Sequence, residues 1–103
     1  GDIHSFWVND LANAAGRPAG VELVTSSIAT STYDKSSVLA LNPGVKFHDG
    51  AHNGYVRCEL TRDRLRADIV AIADREDPRS VAGVAASFEI RSGEPHARRV
   101  AAG

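Results

Sequence analysis

Asp2 and His4 are the two side chains of this sequence best suited to hold a metal ion. On an extended segment, residues two apart point the same way, so a carboxylate and an imidazole at this spacing could address one site. The pair suits several divalent or trivalent metals, and two metals about 3.5 to 4 Å apart could share ligands so close in sequence. Two ligands make an incomplete site, since three or four protein ligands are the norm. On residue type alone, an Asp and a His near a chain terminus are ordinarily solvated.

Other reactive types fit less well. His48 and His52 are four apart, but they fall in His48-Asp49-Gly50 and His52-Asn53-Gly54, which read as turns and place both in exposed loops rather than on a helix face. His96 reads as a solvated tail residue. Cys58 falls on the apolar side of a predicted hairpin, where a buried, inert thiol is expected. Thr25-Ser26-Ser27 follows a short strand and could offer hydroxyls to an anion, although such runs are commonly plain loops. Neither a Gly-Lys-Ser/Thr phosphate loop nor a serine-hydrolase elbow occurs.

These residues must be positioned by a small body. A chain of 103 residues forms one domain at most. A net charge of -1 supplies no field to gather nucleic acid or anionic lipid, and Arg98-Arg99 is too short to form a nucleic-acid patch. The longest unbroken apolar run, Ile69 to Ala73, falls well short of the roughly 18 residues of a membrane-spanning helix. The single cysteine excludes an internal disulfide. The chain opens at Gly1 without Met and closes in Val100-Ala101-Ala102-Gly103, the look of a segment from a longer domain, with the start of its first strand lying upstream.

Periodicity predicts an α/β (α+β) arrangement of a short N-terminal helix and an antiparallel β meander. Apolar residues at Trp7, Val8, Leu11, Ala12 and Ala15 have helical spacing, with Ser5 as N-cap, Gly16 as C-terminal stop and Pro18 beyond it. Val21 to Val24 alternates as a strand, Ser36 to Leu41 allows one to two helical turns, and Val45 to His48 makes another brief strand. The clearest pattern is a hairpin turning at Thr61-Arg62-Asp63-Arg64. With Leu60 facing Leu65, Glu59 meets Arg66, Cys58 meets Ala67, Arg57 meets Asp68 and Val56 meets Ile69. A slip of one residue would set charges against apolar partners, so the register is specified. Val84 to Arg91 alternates as a third antiparallel strand, and the residues after Pro95 read as a tail.

The order of segments resembles the C-terminal part of the PhoD-like metallophosphatases, the alkaline phosphatase D family. The likeness rests on Gly1-Asp2-Ile3-His4 with Ser5-Phe6-Trp7-Val8-Asn9-Asp10-Leu11, then Glu22 to Ile28, Asn42 to Phe47, Gly54 to Leu60 and Ala85 to Phe88. It implies a segment, residues 1–103, of a calcineurin-like four-layer αββα sandwich, with Asp2 and His4 as ligands in the last motif of a dinuclear metal site. Trp7 and Asn9 would stand behind that site as support, with Thr25 and Ser26 at its edge. The implied activity is hydrolysis of phosphate monoesters or diesters by in-line attack, with iron and calcium or other divalent ions stabilising the developing charge. The family's upstream Asp, Asn and His motifs have no counterpart in these residues. The segment is therefore expected to need the N-terminal part of the same domain and to be inactive alone. Export of most members implies a periplasmic or secreted protein. The competing reading is a non-catalytic β-rich module that binds a protein partner or itself through the apolar face of the meander.

Overall fold

The computed structural model describes residues 3–101, so Asp2 lies outside the described residues. Those residues form an all-β body of two antiparallel sheets with one 3-10 helix, Ser36–Leu41, and no α-helix among them. This overturns the predicted α/β class and its N-terminal helix. The first sheet contains β1 (Phe6–Ala12), β2 (Pro18–Val24) and β3 (Val45–Asp49) in the order β2-β1-β3. The second contains β4 (Asn53–Leu60), β5 (Arg64–Ile72), β6 (Ala82–Arg91) and β7 (Arg98–Val100) in sequential order.

β1 was open to misreading because Phe6, Trp7 and Val8 are all buried. A strand covered on both faces loses its two-residue alternation, and a short apolar run then mimics helical spacing. Aromatic and β-branched residues favour the strand once partners flank it on both sides. Gly16 does take the left-handed conformation, with φ of 79°, but it does so in the turn joining β1 to β2. There Asn13 Oδ1 accepts the backbone N–H groups of Ala15 and Arg17. Ser5 is fully buried and caps no helix.

The β4–β5 register is the one expected, from Leu60 opposite Leu65 through Val56 opposite Ile69. β6 pairs with β5 as the third strand. The expected tail instead forms β7, and Ala97 just before it is buried.

The sheets pack face to face. Phe6 and Val8 of β1 meet Ile69, Ala86 and Phe88 of β5 and β6, with Leu23, Phe47 and Val56 around them. Phe47 and Phe88 touch edge to face at 5.9 Å across the layers, the offset geometry that aromatic quadrupoles favour. The Ala97 N–H donates to Asp10 Oδ1 at 2.8 Å, tying the approach to β7 to the first strand. Gly54 is required where β4 begins: its φ is +151° and a Cβ would collide with the Val70 carbonyl oxygen. The cover over the second sheet stops short of the hairpin tip. Leu60 is 77% exposed and Cys58 is exposed, which corrects the buried thiol expected from alternation. No helix of the described residues is long and apolar enough to cross a membrane.

Candidate metal-ligand site

His4 leads into β1 and is held on three sides. Its backbone takes a left-handed φ of 52°, uncommon for a non-glycine residue and sustained only where surroundings fix it. Its carbonyl accepts the Tyr33 N–H at 3.1 Å. Its ring stacks on Tyr33, with centroids 5.1 Å apart and planes within 6°. Its Nδ1 lies 2.9 Å from the Ser31 carbonyl oxygen. A carbonyl can only accept, so the hydrogen-bond network assigns the proton to Nδ1, and among the described residues the Nε2 lone pair meets no hydrogen-bond donor. Metal-binding histidines are commonly oriented in this way, with one ring nitrogen given to a carbonyl or carboxylate and the other to the metal.

The elements behind His4 hold it further. The Trp7 indole N–H donates to Ser5 Oγ at 2.8 Å, and that hydroxyl donates to the Ile3 carbonyl oxygen at 3.3 Å. Trp7 therefore steadies the residues on both sides of His4. Asn9 shares an outer cleft of about 480 Å³ with Ile3, Trp7 and Glu22. Its Nδ2 donates to Glu22 Oε1 at 2.9 Å, while its Oδ1 is buried with no hydrogen-bond partner.

Thr25 and Ser26 are not among the residues that line this cleft. They line a separate cleft of about 610 Å³ at the gap between the sheets, with Leu23, Ile28, Tyr55 and Cys58. Ser26 is 2% exposed and its Oγ is unpartnered, whereas Thr25 Oγ1 lies 3.4 Å from the Ser26 carbonyl oxygen.

The loop that presents Ser31 and Tyr33 is shaped by a residue that sequence reasoning passed over. The Asn53 amide nitrogen is within hydrogen-bond reach of the Ser27 carbonyl at 3.0 Å, Ser27 Oγ at 2.9 Å and the Thr30 carbonyl at 2.6 Å. His48, expected in an exposed loop, belongs to β3 and its side chain is 3% exposed. Its ring lies on Trp7 with centroids 4.1 Å apart, and its Nε2 accepts the Lys35 N–H at 3.0 Å. His52 is exposed and bonds Asp49 Oδ2 at 2.8 Å, so the two histidines serve different partners.

Nearby electrostatics are local. The Ser36 N–H and hydroxyl hold the Asp34 carboxyl below its usual range. Among the described residues, no three His, Cys, Asp or Glu side chains converge to hold a metal. The donor chemistry at His4 fits one ligand position of a metal centre and no more.

Comparison with known proteins is consistent across most of the chain. A family model described as PhoD-like phosphatase matches residues 1–69. Alkaline phosphatase D of Bacillus subtilis (strain 168) is 27% identical over 110 aligned residues, covering 97% of this chain and 19% of that protein. A solved structure titled "Structure of PhoD" superposes with a TM-score of 0.84 at 25% identity, covering 99% of this chain and 21% of that one. The chain thus spans about a fifth of the length of the relatives it matches.

Proposed function

This chain belongs to the PhoD-like phosphatase family, and we propose that it supplies the ligand motif Gly1-Asp2-Ile3-His4 to a metal-dependent phosphoric-ester hydrolase completed by polypeptide outside these 103 residues. The observation that carries the reading is the orientation of His4, whose Nδ1 is committed to the Ser31 carbonyl and whose Nε2 is left for a ligand. Asp2 is the second ligand proposed. The metals proposed are iron with calcium, or other divalent ions.

When bound, the metal centre supplies Lewis-acid stabilisation of charge on the phosphoryl oxygens and activates water. The residues of this chain do the holding. Ser31 and Tyr33 fix the His4 ring, and Trp7 steadies the adjoining turn through Ser5. Asn9 lines the cleft behind, its amide oxygen buried and without a hydrogen-bond partner among the described residues. With too few ligands of its own, the chain alone is inert on this reading. Phosphate monoesters and diesters are the proposed substrates.

The test is phosphomonoesterase and phosphodiesterase activity of the 103-residue chain and of the longer polypeptide containing it, each supplied with iron, calcium, zinc or manganese. The longer polypeptide is expected to be active and the chain inert. Asp2→Ala and His4→Ala in the longer polypeptide are each expected to lose more than about 100-fold, beyond the loss from removing a merely orienting partner. Full activity in both variants would overturn the ligand assignment and leave the reading as a binding module in its place.

A further inference from the structure

Resting on the reading of His4 as a ligand, we propose that His48 is a positioning residue for His4, acting through the backbone of residues 31–35, with Gly50 providing the clearance this loop requires. The two histidines are 44 positions apart and share no contact among those described, so the link between them is the loop.

His48 Nδ1 lies 3.1 Å from the Phe6 carbonyl oxygen, an acceptor, which places the proton on Nδ1. Nε2 then offers its lone pair to the Lys35 N–H at 3.0 Å. Asp34 Oδ1 stands 3.4 Å from the same nitrogen, but the shorter Lys35 contact already uses the lone pair, so we read the loop bond as the operative one. One buried ring thus fastens the start of β1 to the loop at Lys35. Two and four residues earlier, that loop gives Tyr33 and Ser31 to His4.

Gly50 lies beneath the same stretch. A Cβ there would collide with the Tyr33 carbonyl oxygen and the Asp34 Cα, and both are backbone atoms that cannot swing aside as a flexible side chain would. The loop is therefore drawn in by His48 and lies against a surface that only glycine leaves low enough. A second arm reaches His4 from the strand side: the His48 ring supports Trp7, whose N–H holds Ser5. In this arrangement His48 and His4 both carry the proton on Nδ1, and they differ in what meets Nε2. His48 spends that lone pair on Lys35, while His4 keeps it open.

The experiment is long-range ¹H–¹⁵N NMR of the imidazole rings in the longer polypeptide that contains this chain, freed of metal, comparing wild type, His48→Gln, His48→Phe and Gly50→Ala. Cross-strand contacts of the β4–β5 hairpin report whether each variant is folded. Gln retains an acceptor near the position of Nε2, whereas Phe keeps the flat ring and loses both hydrogen bonds. Wild type and His48→Gln are expected to show His4 in the single Nδ1–H form, with well-separated nitrogen shifts. In His48→Phe and in Gly50→Ala the Nδ1–H signal is expected to disappear and the two nitrogen shifts to converge.

An averaged His4 in the wild type overturns the proposal, and so does an unchanged His4 in Gly50→Ala or in a folded His48→Phe. A folded His48→Gln that behaves like His48→Phe overturns the route through the Lys35 bond. Should His48→Phe fail to fold, Gly50→Ala and His48→Gln decide. The ligand reading fails separately: if His4→Ala leaves the longer polypeptide fully active while the NMR changes occur as expected, His48 orders His4 without His4 binding a metal.

Discussion

Ser87 Oγ donates to Asp68 Oδ1 at 2.6 Å between neighbouring strands, and both side chains are buried beneath the arginines of the second sheet. Arg57 reaches Asp68 Oδ2 at 3.0 Å and Arg66 reaches Oδ1 at 3.3 Å. The Ser87 hydrogen bond is the first cause, and the two guanidiniums further causes, of an Asp68 carboxyl held below its usual range. Removing the hydroxyl leaves a buried carboxylate short of a donor, and Ser87→Ala is expected to cost about 1 to 3 kcal/mol in urea unfolding at neutral pH.

The sign of the pH dependence follows from the same carboxylate. Because Asp68 is more acidic folded than unfolded, the unfolded chain binds more protons between the two pKa values, and stability rises with pH there. The contribution is complete above about pH 4, near the ordinary carboxylate value, and is lost as pH falls through the lower folded value. Glu89, held low first by Arg91 and then by Arg98 and Arg64, acts in the same direction. Urea midpoints measured from pH 7 down to pH 2 are expected to fall below about pH 4, and the fall is expected to be shallower in Asp68→Asn.

Phe88 and Leu60 occupy one face of the second sheet, yet burial separates them: Phe88 is 1% exposed and Leu60 is 77% exposed. Phe88→Ala is expected to cost about 3 to 5 kcal/mol through the cavity it opens. Leu60→Lys is expected to stay within about 0.5 kcal/mol. Equal losses in chemical denaturation would show that the hairpin tip is covered in solution.

Gly54 is a backbone requirement. Alanine there meets both an unfavourable positive φ and the Val70 carbonyl, so Gly54→Ala is expected to destabilise the fold by more than about 2 kcal/mol. A hairpin NMR spectrum unchanged by the substitution would contradict this.

Cys58 offers a direct chemical test of the corrected placement. As an exposed thiol it is expected to react fully with a thiol-specific reagent in the native chain, without prior unfolding. Cys58→Ser is expected to change stability by less than about 0.5 kcal/mol.

The hairpin was legible because Arg57, Glu59, Arg66 and Asp68 occupy one side and Val56, Leu60, Leu65 and Ile69 the other, so only one register matches them in kind. Phe6, Trp7 and Val8 lacked such contrast, since burial on both faces leaves no polar residue to mark the period. β7 has three residues, too short for any pattern to appear. At the candidate site, residue type alone favoured a solvated His4, and it was the resemblance of Gly1-Asp2-Ile3-His4 to a ligand motif that singled it out. The Ser31 carbonyl that orients it was not legible, because backbone groups carry no sequence signature. His48 was misread because its burial depends on Trp7 and Lys35, which only the fold brings beside it.

The bond from Ala97 to Asp10 spans 87 positions, and it has a kinetic meaning. A sandwich sealed by so distant a pair cannot close until the residues through Ala97 have been made. The ribosome must release the approach to β7 before β1 gains this partner. Until then the facing surface of β1, with Phe6 and Val8, lacks much of its cover. Contacts of such long range place folding toward the slow, millisecond-to-second end of the scale for small domains, and that interval is when a chaperone or a protease would find the nascent strand.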